Sequence, residues 1–412
     1  MLATSELIRE TGQRGRLEEL LPRWRNVPLY RPALSHPDFD FNRLPLIAKH
    51  EMRAGFPGNF LPENQSLQTL LDSQAIELEH TSGTSEERLP VIFARGWWDE
   101  QEDRALRLNE FIRPVLDQNP RPRRVTLTAP SCNGLTCPTV WMSREQRIIG
   151  QTLFVNLARI PFLLTDSELA RMASEIADWA PVFLDLDPVH GMRFALYCEQ
   201  HCLRFPSLKF IISSYEFTSV IHRRILKRVF QVPFFNLYGS TETGHLLMEN
   251  VAGEMKPALD NAFLEMAGLD DQGIGALVVT TLTNDFMPLL RYRIGDLAQK
   301  FTSPYGTHYL VHGRARDTLR GRDGRRVTTW QLDQCLAGIE GVAHYEVRQE
   351  VDGSATFRFV PEPVGPSDEN LASAVGRVEA LLGFAVKAGP MPTLVPAASG
   401  KFRLTAPATP AA

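Results

Sequence analysis

The sequence predicts an α/β protein, with a large N-terminal α/β domain that includes a β-rich subdomain and a small α+β C-terminal domain. Three observations point there. Apolar runs of strand length alternate with helical stretches through the middle of the chain, as at 182–184, 208–214 and 222–230. After residue 250 the texture changes to closely spaced strands, the clearest being the β-branched run at 275–282. Beyond the charged junction Gly313-Arg314-Ala315-Arg316-Asp317, helix and strand signals mix again over a stretch of about 100 residues. The expected domains are therefore 1–313 and 314–412.

Composition narrows the class. A chain of 412 residues is long enough for two or three domains and a sizeable core. With 43% hydrophobic and 22% charged residues it has the balance of a soluble globular protein. A net charge of −4 gives no bulk attraction to nucleic acid. Charges run through residues 1–16, so no signal peptide is expected, and no apolar run approaches the roughly 18 residues of a membrane span. The five cysteines are an odd number in a long chain, which points to a reducing, cytoplasmic compartment without a disulfide framework. Cys132 and Cys137 lack the tight spacing of common zinc sites. Cys198 and Cys202 would share a face of a helix at 192–203 beside His201, where buried packing is favoured over a metal.

In chain order, a broken leucine stripe predicts a helix over 4–21, ended by Pro22 and Pro28. Residues 44–49 read as a loop leading into a short helix at 51–53. Leu78-Glu79-His80 leads into Thr81-Ser82-Gly83-Thr84-Ser85, and a strand follows at 91–93. A small polar loop between two strands suits a phosphate cradle and equally a surface hairpin. Helices are expected at 97–113, 143–160 and 166–178, strands at 124–128, 182–184 and 208–214, and a turn-rich loop at 131–138. Asp185 and Asp187 follow a strand and are expected to be solvated rather than paired on a metal. A helix at 222–230 runs into the apolar stretch 229–235, which reads as a short buried strand. The C-terminal part shows a strand at 308–312, a helix at 328–338, strands at 345–348 and 355–360, a linker at 361–366 and a helix at 368–382. The Ala/Pro tail after Thr405 is expected to be disordered.

The stretch richest in chemistry is Asn236-Leu237-Tyr238-Gly239-Ser240-Thr241-Glu242-Thr243-Gly244. Its glycines permit a tight turn or close approach to a ligand. Ser240 and Thr241 can donate to phosphate oxygens, Glu242 can hold a hard cation such as Mg²⁺, and Tyr238 can offer a ring face to a base. Alone, the stretch reads more readily as a strand-to-turn with an exposed acid. Four others accompany it in order: Thr81-Ser82-Gly83-Thr84, Tyr292-Arg293-Ile294-Gly295-Asp296, Gly313-Arg314-Ala315-Arg316-Asp317 and Ser399-Gly400-Lys401. Together they resemble the adenylate-forming superfamily of acyl-CoA synthetases and luciferase-like enzymes, across nearly the whole chain. Asn26-Val27-Pro28-Leu29-Tyr30-Arg31 with Leu44-Pro45, and Val279-Thr280-Thr281-Leu282 running on to Met287-Pro288-Leu289-Leu290-Arg291, resemble its phenylacetate-CoA ligase branch.

The resemblance implies an AMP-forming acid–thiol ligase working in two steps. A carboxylate attacks the α-phosphate of ATP, giving an acyl-adenylate and pyrophosphate. The small C-terminal domain, mobile in this family, then rotates, and a thiol, usually of coenzyme A, displaces AMP. Implied cofactors are ATP, Mg²⁺ and coenzyme A. Implied partners are a small carboxylic acid and the nucleotide, with an acyl carrier protein as the alternative acceptor, and a monomer or homodimer is expected. By similarity Glu242 holds Mg²⁺, Thr241 contacts the α-phosphate, Tyr238 lies against adenine, Asp296 accepts from the ribose hydroxyls, and Arg314 reaches ribose or phosphate. Lys401 swings in to stabilise charge on the α-phosphate, so Lys401, Thr241 and Glu242 form the catalytic set, and Arg316 lies near the hinge position. Thr81, Ser82, Gly83, Thr84, Ser214, Tyr215, Glu216, Asn236, Gly239 and Ser240 complete the nucleotide site. Tyr215, Phe235, His245 and Gly134 are assigned to an acyl pocket suited to an aryl or other compact acid.

The sequence also departs from the family. The phosphate loop usually continues Thr-Gly-Lys-Pro, but Ser85-Glu86-Glu87-Arg88-Leu89-Pro90 follows Thr84, with Arg88 in place of the lysine. Either pyrophosphate-side binding is weakened or the loop opens differently; a catalytically impaired nucleotide-binding homologue is the corresponding alternative. Glu242, Asp296, Arg314 and Lys401 argue against that alternative. Ser214-Tyr215-Glu216 replaces a glycine-alanine-glutamate turn, so Tyr215 narrows the acyl pocket or contacts adenine. His245 and Glu249 have no cysteine nearby, and no structural zinc is expected.

Overall fold

A computed structural model describes residues 2–36, 39–81, 88–128, 142–158, 160–304, 306–397 and 399–408. The chain forms two compact units that interleave in sequence, Met1–Pro114 with Leu237–Val311, and Val115–Asn236 with His312–Ala412. It is a mixed α/β structure with a smaller α+β region near its C-terminal end, as expected.

The first unit begins with the helix Leu2–Trp24, which carries Pro22 inside its last turn. Pro28 lies in the turn that follows, and the buried Tyr30 then ties this segment to the distant proline-leucine run. Its hydroxyl donates to the Pro288 carbonyl at 3.0 Å and accepts from the Leu290 N–H at 3.2 Å. Strands Ile76–His80 and Pro90–Ala94 pair as an antiparallel hairpin. Helix Trp97–Leu106 packs on strand Gly244–Glu249. Antiparallel pairing joins Ala262–Ala267 to Ile274–Thr281 and the latter to Tyr292–Ser303. Ile274–Thr281 is buried along almost its whole length, which explains its unbroken apolar and β-branched run. Phe60, Phe93, Trp97, Leu247, Val279 and Tyr292 are part of the core.

The second unit contains a parallel sheet in the order Thr152–Phe154, Arg124–Leu127, Phe183–Leu186, Phe210–Ser213 and the first half of Phe234–Ser240. Helices Asp166–Trp179, Pro188–Gln200 and Val220–Phe230 alternate with these strands, the pattern of a parallel sheet buried by crossover helices. Each helix starts on a side-chain cap. Thr165 forms a capping box with Glu168, Asp187 accepts from the N–H groups of Val189 and His190, and Ser219 accepts from that of His222. The C-terminal region has its own sheet, ordered Val386–Pro390, Ala355–Pro361, Val342–Gln349, Thr405–Ala406, with helices Thr329–Cys335 and Asp368–Leu382. Tyr345, Val347, Phe357 and Leu382 are buried there.

Several expectations are corrected. Residues 143–160 are not a helix. A short 3-10 turn, Glu145–Arg147, leads to strands Ile148–Ile149 and Thr152–Phe154, because Gly150 turns the chain at a φ of 60° and Arg147 is buried, donating to the Phe154 carbonyl and to Glu175. The helix expected at 97–113 stops at Leu106, and a second, Ile112–Gln118, carries Pro114 in its first turn. Val229 and Phe230 close a helix that Gln231 ends at a φ of 54°, so the strand begins only at Phe234. Asp185 and Asp187 are buried and hydrogen-bonded rather than solvated. Cys202 lies past its helix at a φ of 53° and shares no face with the buried Cys198, whose thiol burial pushes up to about 12. Of the tail after Thr405, expected to be disordered, Ala406 instead pairs with Arg348 in the strand Thr405–Ala406, and residues 409–412 lie outside the described residues. Among the described residues no helix is long and apolar enough to cross a membrane.

Candidate active site

In the first unit the hairpin joining Leu237 onward to Gly244–Glu249 carries the hydroxyl- and acid-rich turn. Gly239 cannot be replaced without strain, since a Cβ there would sit 2.2 Å from the Gly244 carbonyl oxygen. Gly244 takes a φ of 70°, open to glycine and poor for other residues. Between them Ser240 and Thr243 approach through their hydroxyls at 3.0 Å, and Thr241 stays half-buried. Glu242 is buried. Its Oε1 accepts from the Tyr292 hydroxyl at 2.8 Å and lies 3.4 Å from the Lys49 ammonium. Burial pushes this carboxyl up, but the Lys49 charge and the Tyr292 hydroxyl hold it below the ordinary carboxylate range. It is therefore ionised at neutral pH.

Lys49 was not among the expected site residues. Backbone pairing places it there: the Ile47 N–H donates to the Arg291 carbonyl at 3.2 Å and the Arg293 N–H to the Ile47 carbonyl at 2.8 Å. Leu44-Pro45 therefore precedes a short bridge to the strand that bears Tyr292. Further along that strand Asp296 accepts from the Tyr238 hydroxyl at 2.7 Å. The His245 ring lies 4.8 Å from that of Trp98. Thr81 closes the base of the first hairpin, its Oγ1 accepting from the Leu89 N–H at 3.0 Å. Arg88 is exposed. Ser82, Gly83, Thr84 and the altered residues 85–87 lie outside the described residues, as does Gly134.

In the second unit Ser214, Tyr215 and Glu216 follow strand Phe210–Ser213. The Ser214 and Tyr215 hydroxyls donate to the two oxygens of Asp185, at 2.9 and 2.7 Å. The Lys401 ammonium donates to the Tyr215 carbonyl at 2.6 Å, and the Phe402 N–H donates to Glu216 Oε1 at 2.9 Å. Burial and the nearby Asp187 charge push the Glu216 carboxyl well above its ordinary range, against the opposing pull of Lys401 and the Phe402 N–H. Gly400 reaches a φ of 85° in the turn that presents Lys401, closed by the Ala397 N–H donating to the Lys401 carbonyl at 2.8 Å. Phe235 is buried, and the half-buried Asn236 pairs with Ser213 at the end of the parallel sheet. Arg314 ends strand Gly306–Arg314, and Arg316 is exposed 4.0 Å from Asp317. A buried histidine pair, His222 Nε2 and His344 Nδ1 at 3.0 Å, also went unanticipated.

Among the described residues no group of three or more His, Cys, Asp or Glu side chains gathers as a metal site. Glu242 is a single ionised carboxylate beside hydroxyls. That fits a Mg²⁺ held mainly by substrate phosphates, because this ion keeps several waters and needs only one or two protein carboxylates.

No family profile matches the chain, and no curated sequence is similar to it. Solved structures do match. A 2-hydroxyisobutyryl-CoA ligase in its postadenylation state, in complex with 2-HIB-AMP, is 16% identical with a TM-score of 0.67, over 93% of this chain and 86% of that one. The anthranilate CoA ligase AuaEII, in complex with anthranoyl-AMP, is 15% identical with a TM-score of 0.55, over 79% and 65%. A benzoate CoA ligase from Burkholderia xenovorans LB400 is 13% identical with a TM-score of 0.53, over 77% and 66%. This chain shares the fold of these acyl- and aryl-CoA ligases.

Proposed function

We propose that this protein activates a carboxylic acid with ATP as an acyl-adenylate and transfers the acyl group to coenzyme A. The observation that carries the reading is Glu242, a buried carboxylate kept ionised in a hydroxyl-rich hairpin. A carboxylate makes a poor acyl donor because its leaving group would be oxide; adenylation supplies AMP instead. The first step joins an anion to a polyanion, so cationic groups must offset the repulsion. Mg²⁺ anchored through Glu242 would supply part of that charge. Lys49 and Lys401 are cationic side chains suited to the same task, with Thr241 donating to the α-phosphate. Tyr238 and Asp296, joined by their hydrogen bond, are assigned to adenine and ribose, and Arg314 to ribose or phosphate.

We further propose that residues 314–412 rotate after adenylation, about the neighbourhood of Arg316. Their separate four-stranded sheet supports this. Alongside shared apolar packing, the polar bonds they make with helix Val220–Phe230 are ones that rotation would exchange for water: Asp333 with the Val220 N–H, His344 with His222, and Glu362 with Arg224 and Arg228. The substrate is an aryl or similarly compact acid. The anthranilate and benzoate ligases among the structural neighbours support this.

Pyrophosphate release with ATP and Mg²⁺ across aryl and short aliphatic acids, with and without coenzyme A, tests the reading. Acid-dependent release, with thioester formed when coenzyme A is added, is expected. Release without thioester would move the acceptor to a carrier-protein thiol. No release with any acid would overturn the proposal.

A further inference from the structure

We propose that Tyr215 and Asp185 are positioning residues for Lys401, together setting the direction of the backbone carbonyl that receives its ammonium. The inference rests on the adenylating role given to Lys401 above. It starts from an unusual backbone. Tyr215 has a φ of 73°, and the Glu216 N–H donates back to the Ser214 carbonyl at 2.8 Å. A three-residue turn with its central residue at positive φ is the rarer and strained form of γ-turn. A bulky aromatic residue is an outlier in that region, and no glycine or asparagine in this stretch relieves it. Such a conformation persists only when its surroundings over-determine it.

Asp185 supplies that constraint. It is buried at the end of strand Phe183–Leu186, and its two oxygens accept from consecutive residues, Ser214 and Tyr215. With the ring held there and the Ser214 carbonyl used inside the turn, the Tyr215 carbonyl is the group that meets Lys401, at 2.6 Å. The next residue along each segment meets in the same way, the Phe402 N–H donating to Glu216. Two consecutive residues after Gly400 thus dock on two consecutive residues of the turn. A small residue at 215 would leave the turn free to relax and the ammonium without a fixed seat.

Trace acetylation of the folded full-length protein with acetic anhydride, read lysine by lysine from peptide masses, tests the seat without any substrate. Tyr215→Phe removes one hydroxyl, and Asp185→Asn keeps the shape but weakens the acceptor. Each should raise modification of Lys401 several-fold relative to the exposed Lys227. An unchanged ratio overturns the proposal. Should Asp185→Asn fail to fold, Tyr215→Phe carries the test alone.

The functional arm is ATP–pyrophosphate exchange with the best acid from the panel above. Tyr215→Phe should lower exchange about tenfold in the otherwise native protein and not at all in a Lys401→Ala background, because it acts through that lysine. An equal loss in both backgrounds, or faster exchange in Tyr215→Phe, overturns the positioning role. Full exchange in Lys401→Ala would instead overturn the adenylating role of Lys401, whatever the labelling ratio shows.

Discussion

Lys49 and Glu242, remote in sequence, meet at 3.4 Å, with the acid buried and the lysine partly open to solvent. The two are brought together by the short parallel bridge of Ile47 to Tyr292, the residue whose hydroxyl also reaches Glu242. The ammonium beside it helps keep this buried acid charged.

Replacing Lys49 with Met should therefore raise the pKa of Glu242. The acid limb of the pH–rate profile for pyrophosphate exchange should move to higher pH, with a loss of roughly tenfold or more at neutrality. Stability should fall as well, by about 1–3 kcal/mol, because the buried Glu242 is left without its nearest cation. A thermal melt beside the pH profile separates the two effects.

Tyr292→Phe removes a buried hydroxyl from the same acid. A loss of about 1–2 kcal/mol in unfolding free energy is expected, as for a hydrogen bond to a charged group. Weaker retention of Mg²⁺-ATP, measured by calorimetry, should accompany it.

Gly239→Ala should disrupt the hairpin, since its Cβ would meet main-chain atoms rather than the end of a flexible side chain. Destabilisation of about 1–3 kcal/mol and loss of nucleotide binding are expected. Wild-type stability with wild-type ATP affinity would contradict the tight backbone approach.

The buried histidine pair predicts acid lability. Burial pushes His222 down to about 4 and His344 well below the ordinary 6.5, the latter also through the charge of His222. Unfolded, both take up protons near 6.5, so stability rises with pH through this window and falls as pH drops from 6.5 towards 4. Asp333 opposes them. Burial pushes it up to about 7 against its bonds from Val220 and Tyr345, so its contribution is lost as pH rises from about 4 to 7. Glu216, also pushed well above its ordinary range, opposes them as well, so the histidine contribution is read as the difference between the native protein and a His222→Asn/His344→Asn double variant. In melts at pH 5, 6 and 7.5 the native protein should lose more stability towards pH 5 than the double variant does; equal pH dependence in the two would contradict the assignment.

The fold class was legible because parallel strands buried on both faces are nearly continuous apolar runs, as at Phe210–Ser213, and because helix Asp368–Leu382 has a clear start and a glycine at its end. The misreadings have local causes. The helix expected at 143–160 does not form because Gly150 turns the chain and the buried Arg147 donates to the Phe154 carbonyl and to Glu175. At 229–235 one apolar run is divided between a helix end and a strand start. The hairpin acid Glu242 could be read from its motif, whereas Lys49, Asp185 and the histidine pair could not. Their partners lie far along the chain, and only tertiary pairing brings them together.

The most direct measurement is mass-spectrometric detection of the intermediate itself, after incubating the protein with ATP, Mg²⁺ and the acid panel in the absence of coenzyme A. The account predicts an acyl-adenylate formed with a compact acid, sharply reduced when Lys401 is replaced by Ala. ATP binding with no adenylate from any acid, or cleavage to ADP, would contradict it.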